Sequence, residues 1–392
     1  MHICFASLDY PDEKGGGGVG TYVQIIGREL VRQGHRVSVV ALKRKDALSD
    51  VTDDKGVQVY RIQPGNIHWY VSKLPLIGNI LALPVREMEY SNAVLKTVRK
   101  IDAKDPIDIV EGTETGAYWF RRLRPGIKTV IRLHGERYTF AKHACPERIP
   151  LDVRISRHFQ RKAFSYADRL TAPSRAHADE IKSEMKGEIS SIDVVPNPIK
   201  FSHGEEKVVP DPARPLFLYA GRLQASKGVL DLLTAIPLTK AKIPGARFVF
   251  AGSEHPSIPK QKIESLIDKL NIRETVELSG HVDKGELYSL HLKATAVVLP
   301  SYYETFGYVY LEALMHGLPV VAFDSGAARD LIVNGKNGFL VPVGDIDALA
   351  DACVAAVHLK MPVPEKEDFA KYMPEQVCKE MLSLYEDLLR ND

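Results

Sequence analysis

The feature that most constrains the fold is the alternation of short β-branched runs with longer amphipathic runs. HICFAS is followed by the helix-like run TYVQIIGRELVRQG, which ends at Gly34, and then by RVSVVAL. DIVEG, KTVIRLHG and DRLTAPS continue the series of strand-like runs, and the helix-like run RAHADEIKSEM follows the last of them. Strands that alternate with helices form a parallel sheet with helices on both faces. The pattern therefore predicts an α/β fold.

The alternation is interrupted by a stretch rich in proline and charge, from Val194 to Pro215, which is typical of a linker. A second series begins at PLFLYAGR and continues through RFVFAGS, TVELSGH, AVVLPS and PVVAF. The final run, EQVCKEMLSLYEDLLR, is typical of a helix. Because 392 residues are too many for one typical domain, we predict two doubly wound domains around one cleft. Ligands of such sheets lie beyond the carboxyl ends of the strands.

The charge is distributed unevenly although the net charge is only +2. Residues 1–200 contain 32 lysines and arginines against 24 aspartates and glutamates, and the remainder contains 20 against 26. The basic half indicates either an anionic partner or random drift of the surface. The most apolar stretch, Val71 to Val85, is shorter than the ~20 residues that span a bilayer and is interpreted as a membrane-touching loop, a lid or a core segment. Together these features predict an anionic or membrane-associated binding partner.

The four cysteines are far apart and form no C-x-x-C pair, so they predict reduced thiols and not a disulfide framework or a zinc site. A strand-like run starts at His2, which leaves no room for a signal peptide. We therefore expect a cytoplasmic protein, with a peripheral location at the inner membrane face as a further prediction.

A glycine-rich loop, GGGGVG, precedes the first predicted helix. Gly15, Gly17 and Gly20 match G-x-G-x-x-G, a dinucleotide fingerprint that would predict a dehydrogenase. However, LDYPDEK separates this loop from the strand, and the basic LKRKD stands where an acidic residue is expected. An NADP-dependent oxidoreductase and a purely structural flexible loop both stay open as alternatives. The more general inference is an anion held by backbone N–H groups at a helix start.

A second motif, GRLQASKG, follows the first strand of the second half. Arg222 supplies a fork of donors and Lys227 a compact charge, a combination suited to a diphosphate. Their position just beyond a strand end, between glycines, favours a ligand site over solvated surface groups.

Two glutamates eight residues apart, Glu304 and Glu312, mark a third motif, SYYETFGYVYLEALMHG. The strand AVVLPS places Glu304 in a turn, and the helix-like YLEALMHG, stopped by Gly317, contains Glu312. Eight helical residues rise about 12 Å, which is too far for two carboxylates to act on one atom and fits contacts with two parts of one long ligand. TFG would supply backbone N–H groups for a second anion site. The apolar neighbours of Glu312 predict a buried or cleft position, whereas a plain helix surface would face water.

In this order GGVGTYV, GRLQASKG, SGHV and E-TFGYVYL-E followed by A-x-x-x-G-x-PVVA resemble the retaining glycosyltransferases of family four, which have the GT-B fold. The resemblance spans nearly the whole chain and is weakest from about 60 to 100. It implies two Rossmann-like domains. Residues 1–197, joined by the C-terminal helix at about 374–392, would bind an acceptor, and residues 198–373 would bind a nucleotide-sugar.

The resemblance also implies the main site roles. Arg222 and Lys227 would hold the donor diphosphate, Glu304 would bind the sugar hydroxyls, and His134 in IRLHGE would contact the donor sugar. The remaining implied donor contacts are the backbone of Gly17 and Gly18 for the diphosphate and sugar, the backbone of Thr305, Phe306 and Gly307 for the sugar and phosphate, Glu312 for the ribose, and the backbone near His281 and Val282 for the base.

Two further glutamates, Glu111 and Glu114 in VEGTETG, are predicted to occupy a loop on the acceptor side and are acceptor-site candidates. Asp345 and Asp347 form a D-x-D, which in other glycosyltransferases holds a metal beside the nucleotide. Here they open a predicted helix in VPVGDIDALADA, where acidic residues cap the helix. The family resemblance implies fixed cations in place of a metal, so we predict neither a metal nor another cofactor.

The predicted activity is transfer of a sugar, with retention and without a metal, from a UDP- or GDP-sugar to a glycan or lipid-linked acceptor. Glycan, glycolipid or cell-surface polysaccharide synthesis is the expected setting, with no nucleic acid partner. A nucleotide-sugar epimerase or hydrolase of the same fold stays open, as does the NADP-dependent oxidoreductase.

Overall fold

The computed structural model describes residues 1–11, 17–43, 49–135, 137–144, 146–200 and 211–390. The chain divides into two units. The first unit comprises Met1–Lys200 together with Ala370–Asp392, and the second comprises Phe201–Phe369. Each unit contains one mainly parallel sheet, which confirms the predicted α/β class.

The first sheet has the strand order β3-β4-β2-β1-β5-β6-β7-β8. Its pairs are parallel except for β3, which runs antiparallel to β4. The chain moves outward from β1 and then returns to place β5 on the other side of β1, so the sheet is doubly wound. The strands are β1 (His2–Ala6), β2 (Arg36–Leu42), β3 (Val51–Asp54), β4 (Val57–Ile62), β5 (Ile109–Thr113), β6 (Lys128–Arg132), β7 (Arg169–Ala172) and β8 (Asp193–Val194).

Helices cover both faces of this sheet because alternate strand residues point to opposite sides. Ile3 and Phe5 of β1 pack on one face, and Cys4 and Ala6 pack on the other. The helices are α1 (Gly18–Arg32), α2 (Ile67–Ser72), α3 (Gly78–Asp102), α4 (Arg137–Ala144), α5 (Leu151–Phe164) and α6 (Arg175–Met185). Core residues of α1 lie on the Phe5 face, and those of α3 lie on the Cys4 face.

The second sheet has the order β11-β10-β9-β12-β13-β14, with every pair parallel. It is also doubly wound, and the strand order reverses between β9 and β12. The strands are β9 (Leu216–Ala220), β10 (Arg247–Ala251), β11 (Val276–Gly280), β12 (Ala296–Val298), β13 (Val320–Phe323) and β14 (Gly338–Val341). The helices are α7 (Val229–Lys242), α8 (Lys260–Lys269), α9 (Lys284–Lys293), α10 (Tyr308–Met315), α11 (Ala328–Leu331) and α12 (Ile346–Val357).

The last helix, α13 (Pro374–Arg390), belongs to the first unit although the whole second unit precedes it in the chain. It packs beside α1 and buries Val377, Met381 and Tyr385 in the core on the Phe5 face. Truncating a buried methionine such as Met381 to alanine typically costs about 2–5 kcal/mol. The helix therefore completes one face of the first sheet.

The interpretation of Val71 to Val85 as a core segment is wrong. This stretch comprises the end of α2, a turn and the start of α3, and several of its large apolar side chains are exposed, Leu74, Leu76 and Ile77 among them. Hydrophobic composition indicated burial, but α3 extends beyond the strands that would cover it. Among the described residues, none of the helices combines the length and the apolar character needed to cross a membrane.

Candidate functional site

The predicted diphosphate and glutamate motifs lie at the carboxyl ends of two neighbouring strands. GRLQASKG follows β9, and SYYETFG follows β12. These strands pair with each other at the point where the strand order of the second sheet reverses. Doubly wound sheets bind their ligands outside the carboxyl ends of the strands, at the point where the strand order reverses.

The two loops are in direct contact. The backbone N–H of Tyr302 donates to the carbonyl oxygen of Ser226 at 3.0 Å. Gly228 has a φ of +68°, and a Cβ atom at this position would collide with the carbonyl oxygen of Pro300. Glycine therefore permits the close approach of the two loops.

Lys227 and Glu304 form an ion pair between these loops. Both side chains are largely buried, and Oε1 of Glu304 also accepts a hydrogen bond from Oγ of Ser301 at 2.9 Å. The sequence places the pair 77 residues apart. The structure thus joins two residues that were assigned separately to the diphosphate and to the sugar.

Arg222 lies in the loop after β9, and its side chain is exposed. Its carbonyl oxygen accepts a hydrogen bond from the Tyr219 hydroxyl at 2.8 Å, which fixes the backbone. Among the described residues, its guanidinium has no carboxylate within ion-pair distance, so its charge is available to an anion from solution.

Helix α10 begins at Tyr308, directly after the predicted Thr305–Gly307 turn. Gly307 adopts a left-handed φ of +78° at the N-cap, and Phe306 is buried. The turn places the positive end of α10 immediately after Glu304. The 12 Å separation expected for Glu304 and Glu312 assumed one continuous helix, and this assumption is wrong because residues 304–307 are not helical.

Glu312 lies within α10, as predicted, and is partly buried. Burial raises the pKa of its carboxyl to about 7, while the positive charge of Lys284 acts in the opposite direction. Lys284 is the first residue of α9 and follows His281 and Val282 after β11. The charge of Lys284 thus acts on Glu312 from the helix that follows the predicted base-binding residues His281 and Val282.

The start of α1 already contacts a carboxylate of the chain itself. The N–H of Gly17 donates to Oδ2 of Asp9 at 2.7 Å, and Gly18 is the first residue of the helix. An anion at this position complements the positive helix end. The predicted use of Gly17 for a donor diphosphate would thus require Asp9 to give up this contact. Gly15, and Arg44 and Lys45 of the basic cluster, lie outside the described residues.

His134 lies just beyond β6 and is held by Glu114. Its backbone N–H donates to Oε2 of Glu114 at 3.0 Å, and its ring contacts that of Tyr22 at a centroid distance of 5.2 Å. Burial, reinforced by the positive charge of Arg132, lowers the pKa of the imidazole well below its usual value. The ring is therefore neutral at pH 7 and suits hydrogen bonding better than proton donation.

Glu114 is buried directly after β5, and burial raises its pKa to about 6. Its hydrogen bond to His134 makes it an anchor of the His134 loop, while contact with an acceptor stays a prediction.

The placement of Glu111 in a loop is wrong. It lies inside β5 and is buried, with Tyr22 donating to Oε1 and Tyr385 donating to Oε2, both at 2.7 Å. Burial raises its pKa above the usual value. Both oxygens are occupied by the core of the first unit, so Glu111 is not available to an acceptor.

The cap interpretation of the D-x-D is confirmed. Asp345 is the N-cap of α12, and its carboxylate accepts a hydrogen bond from the N–H of Ala348 at 2.9 Å. Asp347 lies in the first turn of the same helix. Within the described ranges, no cluster of three or more metal-ligating side chains occurs.

The sequence motifs did not point to several residues that contact the predicted site residues. Ser301, Asp9 and Arg132 are individually common residue types, and only their contacts give them a role. Ser301 offered a weak signal, because it is the last residue of the predicted strand AVVLPS and stands three residues before Glu304.

Two family models match the chain in succession. The Glycosyl transferase 4-like domain matches residues 17–198, and Glycosyl transferases group 1 matches residues 204–376.

The chain belongs to the family-four glycosyltransferases.

Known members differ in how much of the chain they match. A glycogen synthase of Mycobacterium tuberculosis is 32% identical over 192 residues, which cover 47% of this chain and 44% of that protein. The chain thus spans less than half the length of this curated relative. An uncharacterized glycosyltransferase of Methanocaldococcus jannaschii is 24% identical over 417 residues, which cover 98% of each chain.

Solved structures support the fold. The sucrose-phosphate synthase of Thermosynechococcus elongatus superimposes with a TM-score of 0.79 at 21% identity, and the match covers 100% of both chains. The predicted GT-B class, with two doubly wound parallel-sheet units, is thereby confirmed for this glycosyltransferase.

Proposed function

We propose that the protein transfers a sugar, with retention of configuration, from a UDP- or GDP-sugar to a glycan or lipid-linked acceptor. The Lys227–Glu304 pair at the strand-order reversal of the second sheet is the observation that supports this most. A cation for phosphate and a carboxylate for sugar hydroxyls stand side by side, which suits the bond that a nucleotide-sugar breaks. Glycan, glycolipid or cell-surface polysaccharide synthesis is the proposed setting, at the cytoplasmic side of a membrane.

Departure of the nucleoside diphosphate concentrates negative charge on the β-phosphate. Arg222, Lys227 and the N-terminus of α10 would stabilise this charge as it grows. The bond from the sugar C1 to the phosphate oxygen breaks, and the acceptor oxygen bonds to C1 on the same face. The acceptor proton passes to the departing phosphate, so no protein nucleophile is required. The neutral His134 would donate or accept a hydrogen bond at the sugar without taking part in proton transfer.

The test is a panel of nucleotide-sugars followed by an assay for product. A bound donor raises the free energy of unfolding by RT ln(1 + [L]/Kd), where [L] is the concentration of free donor. The melting temperature therefore rises when a donor binds. We expect one UDP- or GDP-sugar to stabilise the protein and to be consumed only when an acceptor is added. Consumption without an acceptor would instead support the epimerase or hydrolase. Stabilisation by NADPH, with no response to any nucleotide-sugar, would support the oxidoreductase.

Transfer is expected to be independent of a divalent metal. The cations Arg222 and Lys227 are proposed to take the place of a metal at the diphosphate, and the D-x-D caps a helix. Activity should therefore persist in excess EDTA. Loss of activity in EDTA that Mg²⁺ or Mn²⁺ restores would contradict this expectation.

Affinity for the nucleoside diphosphate is expected to rise between pH 6 and pH 8 because the Glu312 pKa is raised to about 7 by burial. Ribose hydroxyls donate to the carboxylate, and a protonated Glu312 offers one acceptor less. Since the pKa is raised in the folded state, Glu312 also lowers the free energy of unfolding progressively as pH rises from 4.5 to about 7.

Calorimetry across this pH range measures the first effect, with Glu312→Gln as the reference. The variant keeps the titration of the ligand phosphates, so the difference between the two curves reports Glu312 alone. Parallel curves would remove the ribose assignment.

A further inference from the structure

An exposed apolar surface projects from the first unit. In the part of the chain that the structure describes, half of the large apolar side chains that are exposed belong to residues 67–88. We call residues 67–81 of α2, the turn and the start of α3 the apolar hairpin. Its exposed large apolar residues are Ile67, Trp69, Tyr70, Leu74, Leu76, Ile77 and Leu81. A soluble monomer rarely exposes such a contiguous patch without a partner for it.

The apolar hairpin lies at the carboxyl edge of the first sheet. Helix α2 follows the carboxyl end of β4, and α3 runs back to the amino end of β5. The 25 residues of α3 extend about 37 Å, whereas the five-residue strands extend about 17 Å. The core contacts of α3 begin at Tyr90, so its first turns overhang the sheet. Glu114 and His134 lie at the same edge, because they also follow strand ends.

Hydrogen bonds from α2 to α3 hold the start of the apolar hairpin in place. The buried carboxylate of Glu89 accepts hydrogen bonds from the backbone N–H groups of Ile67 at 2.7 Å and His68 at 3.1 Å. It thereby caps the start of α2 from the side of α3. At the far end, Leu76 is 95% exposed and has a φ of +65°, which is unfavourable for a bulky residue. Residues in unfavourable backbone conformations are concentrated at binding and active sites.

Charge and residue type favour one kind of partner for the apolar hairpin. Between Asn66 and Arg86 the chain contains no aspartate or glutamate, and its charged residues in this range are Lys73 and Arg86. The Lys73 amine lies 3.4 Å from the centre of the Trp69 ring. Tryptophan and tyrosine favour the boundary between lipid tails and headgroups, and lysine beside them reaches anionic headgroups.

We propose that the apolar hairpin docks on an anionic lipid bilayer. Trp69, Leu74 and Leu76 enter the headgroup boundary, and Lys73 contacts lipid phosphates. This orientation turns the carboxyl edge of the first sheet, with the His134 loop, toward the membrane. The inference adds to the proposed function a docking surface that works without donor or acceptor, so its test is independent of catalysis.

Trp69 provides a direct probe. The chain contains two tryptophans, and Trp119 is buried at 3% exposure whereas Trp69 is 50% exposed. Vesicles of phosphatidylcholine with phosphatidylglycerol should shift the tryptophan emission to shorter wavelength and sediment the protein at low salt. Trp69→Phe should still sediment but lose the shift. High salt should weaken sedimentation because it screens the headgroup attraction.

Two variants test the surface itself. The double variant Trp69→Ser with Leu76→Ser should bind vesicles at least about tenfold more weakly, since membrane affinity scales with buried apolar area. Lys73→Glu should weaken binding to anionic vesicles while leaving residual binding to neutral ones unchanged. The matched control is Val333→Ser with Val363→Ser, which removes valines of 55% and 82% exposure from the second unit and should bind as the unmodified protein does.

The overturning outcomes are distinct. Sedimentation without an emission shift would place the membrane contact elsewhere. No sedimentation, combined with dimers in light scattering that the double variant abolishes, would assign the surface to a second copy of the chain. Nucleotide affinity should be equal in all variants. If no nucleotide-sugar binds while vesicle docking persists, the proposed function fails and the docking surface stands.

Discussion

Replacing Lys227 by alanine is expected to lower the kcat of sugar transfer by about 100- to 1,000-fold, the usual cost of removing one group that stabilises transition-state charge. The expectation follows from the position of Lys227 at the carboxyl end of β9, where its amine pairs with Glu304. The variant loses the compact charge nearest the proposed leaving phosphate and leaves Glu304 without its cation. Steady-state kinetics with the identified donor would measure the effect.

The matched control is Lys242→Ala. Lys242 forms an exposed ion pair with Asp351 on the surface of the second unit, and exposed pairs contribute little to stability. Its removal should leave kcat and donor affinity unchanged. A thermal melt would show whether the Lys227 variant folds. Unaltered kcat in a folded Lys227 variant would refute the leaving-group role.

Glu304→Gln and Glu312→Gln are expected to fail in different ways. Glu312 is assigned to the ribose, which does not change during transfer, so its loss should raise the donor KM and weaken the free nucleotide by a similar factor. A charged hydrogen bond of this kind is worth about 1.5–3 kcal/mol, or roughly 10- to 150-fold. Glu304 is assigned to the sugar, where charge and shape change, so its loss should lower kcat.

The ion pair with Lys227 also predicts how Glu304→Gln changes affinity for the free nucleoside diphosphate. Its replacement by glutamine releases the Lys227 amine from a negative partner, so affinity for the free nucleoside diphosphate should be equal or tighter. Calorimetry with the nucleotide, combined with kinetics, separates the two variants. Glu274→Gln, an exposed change in the same unit, is the control. If Glu304→Gln abolished nucleotide binding and Glu312→Gln did not, the two assignments would be reversed.

Local periodicity was enough to predict the elements around the donor site. The apolar run AVVLPS and the helix-like YLEALMHG placed Glu304 in a turn and Glu312 in a helix, and the structure agrees. The Lys227–Glu304 contact was not predictable in the same way. It joins residues 77 positions apart and depends on β9 and β12 being neighbours, which is a property of the whole sheet.

The predictions from sequence were wrong where tertiary contacts decide whether a side chain is buried or exposed. VEGTETG was assigned to a loop although the strand-like run DIVEG already contains Glu111, and β5 extends through this residue. Its partners Tyr22 and Tyr385 lie 89 and 274 residues away, so no local pattern could reveal a buried carboxylate. The interpretation of Val71 to Val85 as a core segment was wrong in the opposite direction, because it predicted burial for side chains that are exposed. Hydrophobicity predicts that a segment avoids water, but not whether protein or another phase covers it.

The position of α13 in the first unit has a consequence for biosynthesis. A ribosome makes residues 1–200 first, but the tyrosine that donates to Oε2 of Glu111 is residue 385. Domains usually fold as they emerge, the N-terminal one first. Here the second unit, continuous in the chain, can close while the first still exposes the apolar face that Val377 and Met381 will cover. The unit synthesised first is therefore completed last.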